Sequence, residues 1–573
     1  ALLLAESMRS VNYSVSIIDA NAEKLSREQV HQRIVKLNPR LICFVVYGQN
    51  VNAGTTNMSG AIYLSNYLKN KGVDIPLTII GSHVQALPKE TLEKESSINF
   101  VFTNEGVYSL RNVLRIKKFD PESLSRVKGI AYRNDGKIII NESEKVVPND
   151  RMDIDLPGYA WDLLPYKNKP LDLYRSPLWH AEYDKDKRSP YASIQTSLGC
   201  MFKCNFCMIN IINRNDEEEV AVSSNYSGMR FWSTDFIVKE FDKLLAMNVK
   251  TIRIVDEMFL LNQKYYIPLC EKLATRNKDD SLRIWSYSRI DTVKRPEVLK
   301  LVRKAGIKWL ALGIESGEKS IRLEVAKGKF EDVDVKKVIE RVHDADINVM
   351  ANYIYGLPGE DNETINKTLN LSLELCTAGW NTYAAMALPG SQLYKDAIEN
   401  KIKLPETYEG FSFHSYETQP LPTQHLSASE ILELRDKAFI KYHTYKPFLN
   451  LIEKKFGKKA MDNIIEMTKL LKLPFIPAES LKDEVFIDRL KALNPDLIVI
   501  VAFKILPNEV LAIPKMGSIN LHASLLPKYR GAAPIQHALM NGDQVTGMTT
   551  FLIEPKVDTG AIIFQEKIFL AYQ

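Results

Sequence analysis

The sequence predicts an α/β protein of several domains, and three observations carry that expectation. Its 573 residues exceed what one hydrophobic core organises. Between residues 15 and about 115, short β-rich runs alternate with stretches whose apolar residues recur at helical spacing. Between 190 and about 395 a strand–helix unit repeats. Alternation of this kind specifies parallel sheets with helices packed on their faces.

In the first region (1–118) the runs VSIID, LICFVVYG, PLTIIG and INFVFTN read as strands, and REQVHQRIVKLN and MSGAIYLSNYLKNKG as helices. Residues 1–10 read as the end of a helix, so the opening falls inside a βα unit and implies a piece of a longer reading frame. A connecting segment (119–189) carries a hairpin, GIAYRNDGKIII, turning at Asn134-Asp135-Gly136, and then a Pro- and Trp-containing stretch. In the third region (190–395) strand candidates begin near residues 191, 251, 283, 309, 348 and 381. Six βα units suggest a partial β/α barrel with its active site at the C-terminal strand ends. Residues 396–470 read as helical, and 471–573 as a further α/β segment opening with the helix and strand of VFIDRLKALNPDLIVIVAF.

Composition narrows the function classes. Hydrophobic residues make up 45% and charged residues 25%, ordinary for a globular protein in water. The net charge of +5, from 75 basic and 70 acidic residues, argues for no nucleic-acid partner of the barrel region. No apolar run approaches the roughly 20 residues needed to cross a bilayer, and no basic leader opens the chain. Of six cysteines, three fall within eight residues, whereas Cys43, Cys270 and Cys376 stand alone in apolar contexts that suit packing. That distribution fits a metal site in a reducing cytoplasm better than a disulfide framework.

The metal site is SLGCMFKCNFC, which sets Cys200, Cys204 and Cys207 as C-x3-C-x2-C directly after a strand. Three thiolates around a four-iron cluster leave one iron open to the amino and carboxylate groups of S-adenosylmethionine. A structural zinc site is the alternative, but zinc wants four ligands, and His180 is the nearest histidine before the loop. With Phe206 before the last cysteine, and with GIESG (313–317) and YGLPGE (355–360), residues 190–395 resemble the radical S-adenosylmethionine superfamily. The resemblance implies a [4Fe–4S] cluster, reductive cleavage of S-adenosylmethionine to a 5′-deoxyadenosyl radical, and a reductant such as flavodoxin or ferredoxin. It offers Asp256, Glu257, Ser286, Arg289, Glu315, Tyr355, Gly356, Leu357 and Pro358 as cosubstrate contacts. Glu315 and Arg289 can instead simply pair within the barrel. Trp232, Trp309, Tyr353 and Tyr383 either line the barrel mouth or belong to the core.

The segment TIIGSHVQALPKETL resembles the loop of a Rossmann-like (flavodoxin-like) cobalamin-binding domain that cradles the nucleotide tail. Gly81 allows close backbone approach, and loop amides near a helix start suit phosphate. Ser82 replaces the usual second glycine, and no D-x-H-x-x-G motif supplies a histidine to cobalt. The resemblance therefore implies displaced dimethylbenzimidazole and a lower cobalt face without that ligand. His83 either touches the tail or sits on a surface loop, and a ligand-free flavodoxin-like domain is the alternative. In this cobalamin-binding group cobalamin commonly relays a methyl group from one S-adenosylmethionine to an unactivated carbon or phosphorus of a small-molecule substrate, and some members catalyse other radical rearrangements or ring closures. A methylthiotransferase would need more amino-terminal cysteines than Cys43, and the haem-pathway oxidase pattern a cysteine where Ile209 stands.

Near the carboxy terminus, PDLIVIVAFKILP, INLHASLLPKYRGAAPIQHAL and VDTGAII resemble the methionyl-tRNA formyltransferase family. That likeness implies His522 as acid/base, Asn520 as oxyanion holder and Asp558 as the group orienting the histidine. The family's first strands and its RNA-contacting domain have no counterpart, so a truncated, inactive segment with uncovered strand edges is expected, joined near 471–480 by fusion or by misassembly of the sequence. A formyltransferase carrying a radical module and a non-catalytic metal-binding scaffold are the two alternatives to a cobalamin-dependent radical methyltransferase.

Overall fold

Apolar alternation in the first 140 residues yields a five-stranded sheet. In the computed structural model, residues 1–47, 51–165, 190–214, 226, 228–293, 295–325, 333–470, 480–501, 506–531, 533–554 and 557–570 are described. His180 and most of the join near 471–480 lie outside them. The chain divides into two units, Ala1–Thr468 and Lys469–Gln573.

Strands β1 (Ile42–Val46), β2 (Leu77–Gly81) and β3 (Phe100–Phe102) are parallel neighbours. The expected hairpin, β4 (Ile130–Asn134) and β5 (Lys137–Ile140), extends the same sheet antiparallel to β3. Its turn places Asp135 at φ 47° and Gly136 at φ 74°, the left-handed pair that matches strand twist. The helix Arg27–Leu37 starts at a reciprocal Ser26–Gln29 capping box and ends at left-handed Asn38. VSIID does not become a strand. Val15 packs into the apolar cluster around Phe100, and Ile18 into the one around Ile79, so the alternation is satisfied by two packing faces without ladder pairing.

All six expected barrel strands form: β6 (Tyr191–Ile194), β9 (Thr251–Ile254), β10 (Arg283–Arg289), β11 (Ile307–Glu315), β12 (Asn348–Tyr355) and β13 (Gly379–Ala384). They pair in chain order and in parallel, an open barrel-like sheet. The short pair β7 (Ser197–Leu198) and β8 (Arg230–Phe231) lies between β6 and β9 in the chain. One sheet face, with Ile284, Leu310, Leu312, Val349 and Ala351, packs in the main core. The other gathers Trp285, Trp309, Ala311 and Met350.

The helical tail closes this inner cluster. Phe456, at the end of the helix Lys446–Phe456, stacks 5.7 Å from Trp309, which stacks 5.1 Å from Trp285. These tryptophans stand near the starts of their strands, so Trp309 belongs to the barrel floor rather than its mouth. Trp232 and Tyr353 are fully buried core residues as well. Tyr383 is half-buried at the end of β13 against Phe413 and His414.

In the second unit β14 (Ile498–Val501) and β15 (Ser518–His522) are parallel. Strands β16 (Val545–Leu552) and β17 (Ile562–Phe569) follow antiparallel. Val499, Val501, Phe564 and Phe569 are exposed, the uncovered apolar surface expected of a partial sheet. Among the described residues no helix is long and apolar enough to cross a membrane.

Candidate functional site

The cysteine loop is rooted by Asp256, just past β9. Its carboxylate accepts from the Thr196 amide and hydroxyl, both at 2.6 Å, and from the Ser197 hydroxyl at 2.7 Å. Burial lifts Asp256 to about 6 against the opposing pull of these bonds. Asp256 therefore serves the root of the loop. Cys200 is buried, and Cys204 and Cys207 are half-buried. The Phe202 amide donates to Cys200 Sγ at 3.5 Å, and the Cys207 amide to the Cys204 carbonyl at 3.1 Å. Burial pushes the Cys200 thiol up to about 12, Cys204 to about 11 and Cys207 well above its ordinary value. Cys204 raises Cys200, and both raise Cys207, so the three sulfurs share one electrostatic space.

Burial alone therefore favours the neutral thiols, and a bound metal centre would supply the positive charge that deprotonates them. Among the described residues no three His, Cys, Asp or Glu side chains are gathered tightly enough for a single metal ion. A four-iron cluster is wider than one ion, and the C-x3-C-x2-C loop offers it three thiols.

Facing the loop are the ends of β10 and β11. Arg289 binds Asp291 through two bonds of 2.6 Å, lies 3.7 Å over the Phe202 ring, and brings Nη1 to 3.9 Å from Cys204 Sγ. Glu315 sits beside it at φ 65°, a strained backbone for a residue with a side chain. Gly313 leaves it room, since a Cβ there would lie 2.3 Å from Glu315 Oε1. Burial lifts Glu315 to about 7, while Arg289 draws it down. Among the described residues the guanidinium pairs with Asp291, and the alternative of a simple Glu315–Arg289 ion pair does not form. Glu257 is likewise lifted to about 7, by burial and then by neighbouring Asp256.

The remaining candidates diverge. Glu360 Oε2 accepts from the Gly356 amide at 2.9 Å and the Leu357 amide at 3.1 Å, and Oε1 from the Ser316 hydroxyl at 3.0 Å. One buried carboxylate thus ties GIESG to YGLPGE and occupies the amides expected to meet the cosubstrate. Pro358 is half-buried beside them. Tyr355 packs in the main core with its hydroxyl unpartnered. Ser286 shares the strand face of Ile284, is fully buried, and has an unpartnered hydroxyl. The structure thus brings Cys200, Cys204, Cys207, Arg289 and Glu315 together and turns Ser286 and Tyr355 toward the other sheet face.

The segment after β2, expected as a loop, is instead a short helix, Ser82–Ala86, that reaches this site. A Cβ on Gly81 would lie 2.3 Å from the Val46 carbonyl, and one on Gly54 would lie 1.8 Å from Ser82 Oγ. Such close approach packs the end of β2 directly against β1, and Ser82, in place of a glycine, is accommodated by Gly54. His83 is buried, not on a surface loop: its Nδ1 is 3.2 Å from the Thr55 hydroxyl and its ring meets Tyr408 edge-on at 5.2 Å. Burial depresses it to about 3, so it stays neutral. Ala86 and Leu87 share one apolar cluster with Cys200, Met208, Ile209 and Ile211. Buried Arg214 donates to the Gln85 carbonyl at 2.9 Å, and the Met208 amide to Asn52 Oδ1 at 3.5 Å. Buried Arg230 joins Glu105 at 2.8 Å and Asn213 at 2.6 Å. Sequence reasoning missed these linkers because no local motif marks a residue whose partner is over a hundred positions away.

In the second unit the three expected residues come together. Asn520 and His522 alternate onto one face of β15; His522 Nδ1 is 3.5 Å from Asp558 Oδ2, and its Nε2 is 2.8 Å from the Tyr529 carbonyl. Asp558 also accepts from the Gly531 amide at 2.7 Å, and Asn520 Oδ1 is buried without a partner.

With this geometry in place, the comparisons with known proteins are specific. Residues 1–114 match the B12 binding domain, 194–372 the radical SAM superfamily and 450–571 the formyl transferase family. The chain carries a cobalamin-binding and radical-SAM region followed by a formyltransferase-like segment. Its fold is like that of the radical S-adenosylmethionine methyltransferase TsrM from Kitasatospora setae, solved with cobalamin and a [4Fe–4S] cluster. That likeness has a TM-score of 0.59 at 14% identity, over 81% of this chain and 96% of that one. It is also like the cobalamin-dependent S-adenosylmethionine radical enzyme OxsB, with a TM-score of 0.57 at 15% identity, over 86% and 69% of the two chains. At these identities the likeness is one of fold. The methionyl-tRNA formyltransferase of Thermodesulfovibrio yellowstonii is 59% identical over 97 residues, 17% of this chain and 32% of that protein. That of Clostridioides difficile is 47% identical over 116 residues, 20% and 38%. The chain spans about a third of the length of these curated relatives.

Proposed function

We propose that this chain is a radical S-adenosylmethionine enzyme in which Cys200, Cys204 and Cys207 hold a [4Fe–4S] cluster and the amino-terminal domain holds cobalamin for methyl transfer to a small-molecule substrate. The observation that carries the reading is the shared apolar cluster in which the cysteine loop meets the short helix after β2. When bound, the cluster supplies the electron that cleaves S-adenosylmethionine, and cobalamin carries the methyl group. The chain's own residues do the rest. Asp256 holds the root of the loop, and Glu360 fixes the two loops opposite. Glu257 and Glu315, buried beside the cysteine loop, offer carboxylates to the cationic sulfonium and to the N–H groups of the iron-bound amine of the cosubstrate. The segment that follows Gly81, set close to β1 by that glycine, is where the nucleotide tail would lie.

The test is anaerobic reconstitution with iron and sulfide, then reductant (flavodoxin, ferredoxin or dithionite), hydroxocobalamin and S-adenosylmethionine. 5′-Deoxyadenosine that disappears when all three cysteines become alanine supports the radical reading, and cobalamin-dependent S-adenosylhomocysteine supports methyl transfer. Cluster-loaded protein that forms neither product sinks the catalytic claim and leaves a metal-binding scaffold.

The His522–Asp558–Asn520 geometry favours one further statement. His522 is placed to move a proton, Asp558 to orient it and Asn520 to donate to an oxyanion. With the faces of β14 and β17 exposed, we propose that this segment does not transfer formyl groups as it stands. Formylation of methionyl-tRNA from 10-formyltetrahydrofolate above a His522→Ala background would overturn this.

A further inference from the structure

Arg289 is committed to three neighbours at once. Its side chain is 5% exposed, and it forms a bidentate pair with Asp291, itself 4% exposed, at 2.6 Å. Its plane lies 3.7 Å over the Phe202 ring, between the first two cysteines of the loop, and its Nη1 points at Cys204 Sγ from 3.9 Å. Such a guanidinium cannot swing out to follow a substrate. Its rotamer is set by the Asp291 fork and by the aromatic face, which aim its charge and one N–H at a sulfur.

We propose that the Arg289–Asp291 pair sets the reduction potential of the cluster through Cys204, with Arg289 as a positioning residue for that ligand. The inference rests on the proposed cluster. An iron–sulfur centre gains one negative charge on reduction, so a buried cation and an N–H beside a ligand sulfur stabilise the reduced form and raise the potential. Asp291 does two opposing things: it aims the guanidinium, and its own charge offsets part of the cation's effect. Because Arg289 touches the sulfur and Asp291 stands behind it, the net influence is that of the nearer positive end. Phe202 covers the guanidinium and both members of the pair are buried, which keeps the local dielectric low and the effect large.

The experiment is a redox titration of the anaerobically reconstituted full chain, followed by electron paramagnetic resonance, with iron and sulfide content measured in parallel. Arg289→Gln is expected to shift the midpoint potential negative, Arg289→Lys to shift it less, and the isosteric Asp291→Asn to shift it positive. Fully loaded variants whose potentials do not move, or move in one direction together, overturn the inference. Loss of iron from the Arg289 and Asp291 variants, with wild type loaded, also overturns it and assigns the pair to loop structure alone. A wild-type chain that takes up no cluster would instead sink the proposed function.

Discussion

At the residue scale, Glu360 turns a sequence pattern into a mechanical part. Its two oxygens accept three hydrogen bonds from two loops, and burial lifts its carboxyl to about 7, the bonds from Ser316, Leu357 and Gly356 opposing the lift. The folded chain therefore keeps a proton that the unfolded chain releases near its ordinary carboxylate range. Stability from this group is complete below that range and is lost as pH rises through about 7. Thermal melts are expected to fall from mildly acidic to neutral pH and level off above, and Glu360→Gln is expected to flatten that slope. Glu360→Ala leaves two amides and a hydroxyl without their acceptor and is expected to cost about 1–3 kcal/mol in urea unfolding.

Two glycines separate conformational from steric demands at the scale of elements. Gly136, in the turn between β4 and β5, has φ 74° and open space where a Cβ would go. Gly136→Ala is expected to cost only the left-handed penalty, about 1–2 kcal/mol, without altering ligand binding. Gly81 is different: a Cβ there would lie 2.3 Å from the Val46 carbonyl, so β1 and the end of β2 would have to part. Gly81→Ala is expected to destabilise by about 1–3 kcal/mol and, unlike Gly136→Ala, to weaken hydroxocobalamin binding measured by equilibrium dialysis.

On the scale of the whole molecule, the amino-terminal sheet and the barrel are joined by buried polar groups as well as by apolar packing. Arg230 and Glu105 pair at 2.8 Å with side chains 4% and 8% exposed, and Arg230 also donates to the Val147 carbonyl at 2.7 Å. Removing one partner leaves the other charge buried, so Arg230→Met is expected to destabilise Ala1–Thr468 by about 3–5 kcal/mol. The double variant with Glu105→Gln is expected to recover part of that loss, and urea titration of the wild type, both single variants and the double variant measures the coupling.

Local patterns determined much of this protein. Strand alternation and βα spacing placed all six barrel strands, the Asp135-Gly136 turn announced its hairpin, and the cysteine spacing marked the loop. Each of these signals is written within one element or one turn, where backbone sterics and burial periodicity act directly on neighbouring residues. Tertiary structure alone decided that VSIID pairs with no strand, that His83 is buried, that Trp309 stands on the barrel floor, and that Arg289 answers to Asp291 and Cys204. It also decided that Asp256 and Glu360 are braces. Those outcomes depend on which distant groups share a low-dielectric space, and a buried charge takes the partner that the fold brings within hydrogen-bond reach.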